Sequence, residues 1–140
     1  MRVAVNHLSE GAFGIEGRGH RIVSDQPVSN RGHDTGMTPP ELLLAALGSC
    51  AGYYAVEYLR TRGLSQDVQV DVDADKATSP ARLGKIKLML HLPELEAKHR
   101  EGVLRAVNAC LVKNTLLHPP EIQTEVAATP IETPLVAEMH

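Results

Sequence analysis

The 140-residue chain has no tryptophan, one phenylalanine and three tyrosines, an aromatic content of 3%. So few flat side chains argue against a base-stacking platform for nucleic acid, and no basic patch stands out against a net charge of -3. Only two cysteines are present, sixty positions apart. They form neither a C-x-x-C pair nor a four-ligand metal set, and a lone structural disulfide would be unusual in a reducing cytosol. A redox cycle is the better reason for them to meet. Histidines 20, 33, 91, 99 and 118 show no H-E-x-x-H or comparable metal spacing and read as surface or loop residues. The glycines from Gly11 to Gly19 do not follow a strand into a helix in the dinucleotide pattern, and turns explain them. The N-terminal MRVAVNHLSE lacks a signal peptide's apolar stretch, and the nearly uncharged run Leu42 to Val56 reads as too short to span a bilayer. The expectation is a cytoplasmic protein with no membrane partner.

What is present is ordinary globular composition, 43% hydrophobic and 22% charged, in a length that can bury a core as one domain spanning residues 1–140. Val3 to Asn6, Phe13 to Gly17 and Arg21 to Ser24 are short, partly alternating segments separated by turn-rich sequence, which predicts an antiparallel meander. Residues 26 to 37 have loop composition that could be mobile or cover a site. At Thr38 the pattern changes to a capping box, with Thr38 as N-cap, Pro39 at the first helical position and Glu41 three residues after the cap. The helix is expected to run to about Arg62, with Gly63 as its stop. From Leu42 to Ala55 it is apolar or small on nearly every side, which predicts burial almost all round, and Ala45, Gly48, Ser49 and Gly52 would let another element approach closely.

Val68 to Ala74 and Lys85 to His91 alternate as half-buried strands do and predict a hairpin. Pro93 is expected to open a second helix over PELEAKHREGVLRAVNA, and Ile122 to Ala127 a final strand before a tail that frays. For Cys110 two placements stand open. If Asn108 breaks the helix, Cys110 lies near the start of a short new helix, where the positive end of the dipole would acidify its thiol. If the helix runs on to Leu117, Cys110 is mid-helix without that advantage.

The block T-P-P-E-L-L-L-A-A-L-G-S-C, ending at Cys50, and the later C-L-V-K-N-T-L, starting at Cys110, resemble the OsmC/Ohr family of osmotically inducible and organic hydroperoxide resistance proteins. The order of elements is similar along nearly the whole chain. The resemblance implies an α+β fold with antiparallel sheets packed around a central, buried, cysteine-bearing helix, in an intertwined homodimer with sites at the subunit interface. It further implies a thiol-dependent peroxidase acting on organic, lipid-type hydroperoxides. Cys50 would be the peroxidatic nucleophile and Cys110 the resolving thiol that traps its sulfenic acid as a disulfide. No bound cofactor is implied, but an external dithiol, a lipoyl protein or thioredoxin-like donor, would reopen that disulfide.

An apolar environment would raise the Cys50 pKa unless a cation lay close, so the resemblance also implies an arginine. Arg18 is favoured, with Arg21 and Arg31 as alternatives. A glutamate orients that arginine in the peroxidase branch, but here Pro40 occupies its position and Glu41 follows one residue later. Nine helical residues put Glu41 about 13 Å along the axis from Cys50, so the capping box accounts for Glu41 better than catalysis does. This altered helix start keeps a second function in play, an OsmC-like small-molecule-binding or redox-sensing module without turnover.

Overall fold

The computed structural model describes residues 1–131, which form two compact units, one from residues 1–36 with those from Pro120 on and the other from Met37–Pro119. In the first unit, β1 (Ala4–Ser9), β2 (Ala12–Gly17) and β3 (His20–Ser24) make an antiparallel meander in the order β1-β2-β3. Gly17 pairs with His20, so Arg18 and Gly19 alone make the turn, and both take left-handed angles (φ 50° and 80°). Two such residues give the twist that a tight hairpin needs, and Gly19 adopts it without strain.

Beyond β3 the loop is built on the buried Asp25. Its carboxylate accepts from the amides of Gln26 (2.7 Å), His33 (3.2 Å) and Thr35 (3.1 Å) and from the Thr35 hydroxyl (2.7 Å). These donors, the Thr35 hydroxyl first, favour the charged form and lower its pKa to about 2. A sequence with loop composition is therefore an organised loop, gathered on one anion. The expected strand at Ile122 to Ala127 does not form, and Ile122 and Val126 are exposed. Alternation can specify a face, but among the described residues no strand offers this segment a ladder.

The second unit is organised by α1 (Pro39–Thr61). Its start is the capping box read from the sequence, with the Thr38 amide (3.1 Å) and hydroxyl (2.7 Å) both donating to the Glu41 carboxylate. At its end Leu64 N–H bonds to Leu59 C=O and Gly63 N–H to Arg60 C=O, with Gly63 left-handed at φ 65°. That pair of bonds is the Schellman stop. β4 (Gln69–Ala77) and β5 (Arg82–His91) form an antiparallel hairpin, each strand longer than the sequence indicates. Val70, Val72, Ile86, Leu88 and Leu90 turn inward, while Asp73 and Asp75 stand opposite Lys87 and Lys85 on the outer face.

Leu47, Ala51, Ala55 and Leu59, four residues apart, form the buried face of α1, and Ala51, Ala55 and Leu59 make a core with Val103 and Val107. The small residues do admit a neighbour: Val72 of β4 lies over Gly48 and Val70 over Gly52. Burial all round is not observed, because Leu43 and Tyr53 are 38% and 62% exposed. One chain covers one face of this helix and leaves the other to solvent. The 23-residue α1 is also long and apolar enough by composition to cross a bilayer, which the shorter run Leu42 to Val56 understated.

The second helix starts later than expected. After Leu92 a turn (Leu95 N–H to Leu92 C=O, 3.1 Å) and an extended Glu96 precede a 3-10 turn at Ala97–His99, and α2 spans only Arg100–Val107. Leu95 packs on the core from this turn rather than from a helical face. α2 is drawn tightly onto α1 at Gly102, where an added Cβ would stand 2.6 Å from ring carbons of Tyr58. That ring is held by a 3.0 Å hydrogen bond between its hydroxyl and His99 Nδ1 and by the Arg62 guanidinium 3.6 Å from its centroid.

Candidate active site

Asn108 ends α2 as its C-cap, and α3 (Leu111–Leu117) starts three residues later, so the elbow Ala109–Cys110 is short. Of the two placements open for Cys110, the helix break is the one observed. Cys110 takes non-helical angles (φ −56°, ψ 121°) and caps α3 with its own sulfur, which accepts from the Lys113 amide at 3.4 Å. A thiol is a weak acceptor, but here it occupies the place where a serine hydroxyl would usually stand.

The elbow delivers Cys110 to Cys50. Cys50, at mid-length of α1, is half-buried, and Cys110 is fully buried. Burial pushes the Cys50 thiol up, but a hydrogen bond from Cys110 and others from the backbone amides of Val112 and Leu111 outweigh it, and its pKa falls below the ordinary thiol value. Burial and the hydrogen bond to Cys50 push the Cys110 thiol the other way, above that value. The two thiols are thus shifted in opposite directions, Cys50 down and Cys110 up.

The first amides of α3 serve both thiols, those of Val112 and Leu111 lowering the Cys50 pKa and those of Lys113 and Val112 opposing the rise at Cys110. The hydrogen bonds that lower the Cys50 pKa come from Cys110 and from the two backbone amides. Arg18 lies in the β2–β3 turn, Arg21 on β3 is 3.8 Å from Glu16, and Arg31 follows the 3-10 turn Val28–Asn30 with φ 64°. All three belong to the first unit. Glu41 is at the start of α1 with its carboxylate on Thr38, whose hydroxyl and amide lower its pKa.

Leu111, Val112, Asn108 and Lys113 were missed as site residues. The signal for them was the helix break at Asn108, since two amides after a capped start must point out of the helix. An open pocket of about 560 Å³ is lined by Tyr54, Ala109, Leu111, Asn114, Thr115 and His118, with Tyr54 one helical turn beyond Cys50 in α1 and Ala109 and Leu111 flanking Cys110 in sequence.

These features define an α+β protein with a paired-thiol site seated between a long helix and the capped start of a short one. The chain belongs to the OsmC-like protein family, whose sequence profile matches residues 32–125. Solved structures agree in fold. An osmotic stress induced and detoxification response protein from Psychrobacter arcticus superposes with a TM-score of 0.74 at 20% identity, over 81% of this chain and 85% of that one. An OsmC-like protein from Mycoplasma pneumoniae gives 0.71 at 19% identity, over 84% and 87%. A protein described as the organic hydroperoxide resistance protein OsmC, from Legionella pneumophila, gives 0.61 at 16% identity, over 82% and 87%. No curated protein matches the chain in sequence.

Proposed function

We propose that this protein is a thiol-dependent peroxidase for organic hydroperoxides. The observation that carries the reading is the pairing of two free thiols, Cys50 half-buried on α1 and Cys110 fully buried at the cap of α3, with a hydrogen bond between them. The Cys50 thiolate attacks the terminal peroxide oxygen, the O–O bond breaks, and the alkoxide takes a proton and leaves as the alcohol. Cys50 is then a sulfenic acid. The Cys110 sulfur attacks it, the S–O bond breaks, hydroxide leaves as water with the thiol's proton, and a Cys50–Cys110 disulfide remains. An external dithiol, of lipoyl or thioredoxin type, reduces that disulfide by exchange and supplies the two electrons the peroxide consumed.

The reading includes a cytoplasmic homodimer, supported by the exposed face of α1 with Leu43 and Tyr53. The family resemblance gives Arg18 the role of the cation beside Cys50, while the Glu41 carboxylate is engaged in the α1 capping box. A second reading, a ligand-binding or redox-sensing module, draws support from a groove of about 570 Å³ along α1 and β4, lined by Glu41, Leu44, Gly48, Val56, Val70 and others. Mass spectrometry after one equivalent of cumene hydroperoxide, without reductant, separates the two. The peroxidase reading expects loss of two hydrogens in the parent chain, a trappable sulfenic acid in Cys110→Ser, and no turnover in Cys50→Ser. Free thiols unchanged in both the parent and Cys110→Ser would sink it and leave the module.

A further inference from the structure

α3 packs on α1, and the Leu111 and Val112 amides that lower the Cys50 pKa stand just past the elbow between α2 and α3. Two contacts brace it. Lys113 Nζ donates to Asn108 Oδ1 at 2.6 Å, tying the first turn of α3 to the C-cap of α2, and the Lys113 amide is the one that Cys110 Sγ caps. A bond this short between an ammonium and an amide oxygen is of the charge-assisted kind, and it bridges five residues that no helical ladder spans continuously. The rest of the elbow is light. Ala109 N–H bonds to Ala106 C=O (3.1 Å) and Cys110 N–H to Val107 C=O (3.0 Å), both ending on α2, so neither fixes the direction in which α3 departs.

We propose that Lys113 and Asn108 are positioning residues, their side chains locking the α2–α3 elbow so that the Leu111 and Val112 amides stay on Cys50 Sγ. Neither side chain need touch substrate. Their effect on turnover rests on the peroxidase reading, because a slackened elbow would leave fewer amide donors on the attacking sulfur and lower its thiolate fraction at neutral pH.

The test follows the pH dependence of Cys50 alkylation by iodoacetamide in the full-length reduced chain, with the modified peptide identified by mass spectrometry. Lys113→Met and Asn108→Ala are each expected to move the midpoint to higher pH, slowing alkylation at pH 7 about tenfold for every pH unit of that movement. Asn108→Asp, which keeps an oxygen acceptor for Lys113, is expected to hold the parent midpoint. A merely structural role would lower the melting temperature and leave the midpoint in place, and that result overturns the proposal. So does a midpoint that moves in Lys113→Met but not in Asn108→Ala, since the lysine charge would then act without the brace. Asn108 is exposed, so Asn108→Ala decides the matter if Lys113→Met does not fold. Peroxide turnover is scored separately, and a parent chain that fails to reduce cumene hydroperoxide defeats the peroxidase reading while the alkylation midpoints still judge the elbow.

Discussion

Replacing Cys110 by alanine and, separately, by serine measures what its sulfur contributes to the fold apart from any reaction. The sulfur is fully buried and caps α3 through the Lys113 amide at 3.4 Å. Alanine removes one buried heavy atom, a loss of about 1 kcal/mol, and removes the cap, about 0.5–1 kcal/mol for an acceptor weaker than a hydroxyl. The sum is about 1.5–2 kcal/mol of destabilisation. Serine keeps nearly the same volume and offers a better acceptor to Lys113. Burying its hydroxyl costs roughly 1–3 kcal/mol if unpaired, but bonds from the Lys113 amide and to Cys50 offset about 1 kcal/mol each, so its net cost is about 0–1 kcal/mol. Serine is therefore expected to be the more stable variant by about 1 kcal/mol, or about 3–4 °C in melting temperature for a chain of this size. Thermal and urea unfolding in excess reductant read the difference. An alanine variant as stable as the serine one would refute the reasoning, because the sulfur would then fill space without capping.

Three further outcomes follow from the packing and charge described. Gly102→Ala should lower stability by up to about 2 kcal/mol, since crowding against Tyr58 (about 1–3 kcal/mol) outweighs the helix preference of alanine (about 1 kcal/mol); a raised melting temperature would show that Tyr58 does not occupy that space. Leu59→Ala empties a site 2% exposed in the core of the second unit and should cost about 2–5 kcal/mol in urea unfolding, whereas a loss below 1 kcal/mol would mean the core collapses around it. Asp25 has a folded pKa of about 2, below the ordinary 3.8, so its ionisation favours the folded state above pH 3.8 and that contribution is lost as pH falls toward 2. Asp25→Asn should flatten the stability profile across that window, and a profile parallel to the parent's would assign the acid sensitivity to other groups.

Local chemistry made much of the second unit legible. Thr38, Pro39 and Glu41 mark the start of α1, Gly63 marks its end, and the alternation of VQVDVDA and KIKLMLH marks the hairpin. The misreadings have physical causes. Pro93 is a valid helix start, but Leu95 is needed in the core, and the chain reaches it through a turn. Ile122 to Ala127 alternates like a strand, yet pairing is a property of two segments and only one is written there. The breadth of apolar surface on α1 suggests burial all round, but Leu43 and Tyr53 are exposed, since composition does not say which faces are covered. At the candidate site, the proximity of the two cysteines was to be expected from sequence pattern and family resemblance. The donors on Cys50 were not, because a backbone amide has no letter in the sequence. Only the break at Asn108 hinted at where such amides would be free.

The capping sulfur of Cys110 joins two equilibria that are usually treated apart. Any event at that atom, whether loss of its proton, alkylation or bonding to Cys50, alters its strength as an acceptor for the Lys113 amide and so alters the helix content of residues 111 to 117. Thermodynamic reciprocity requires the converse. Whatever stabilises or frays this short helix must shift the readiness of the sulfur to react by the same free energy. A contact on α3 therefore has a route to that sulfur, and the fraying of seven residues becomes a measure of what has happened at it.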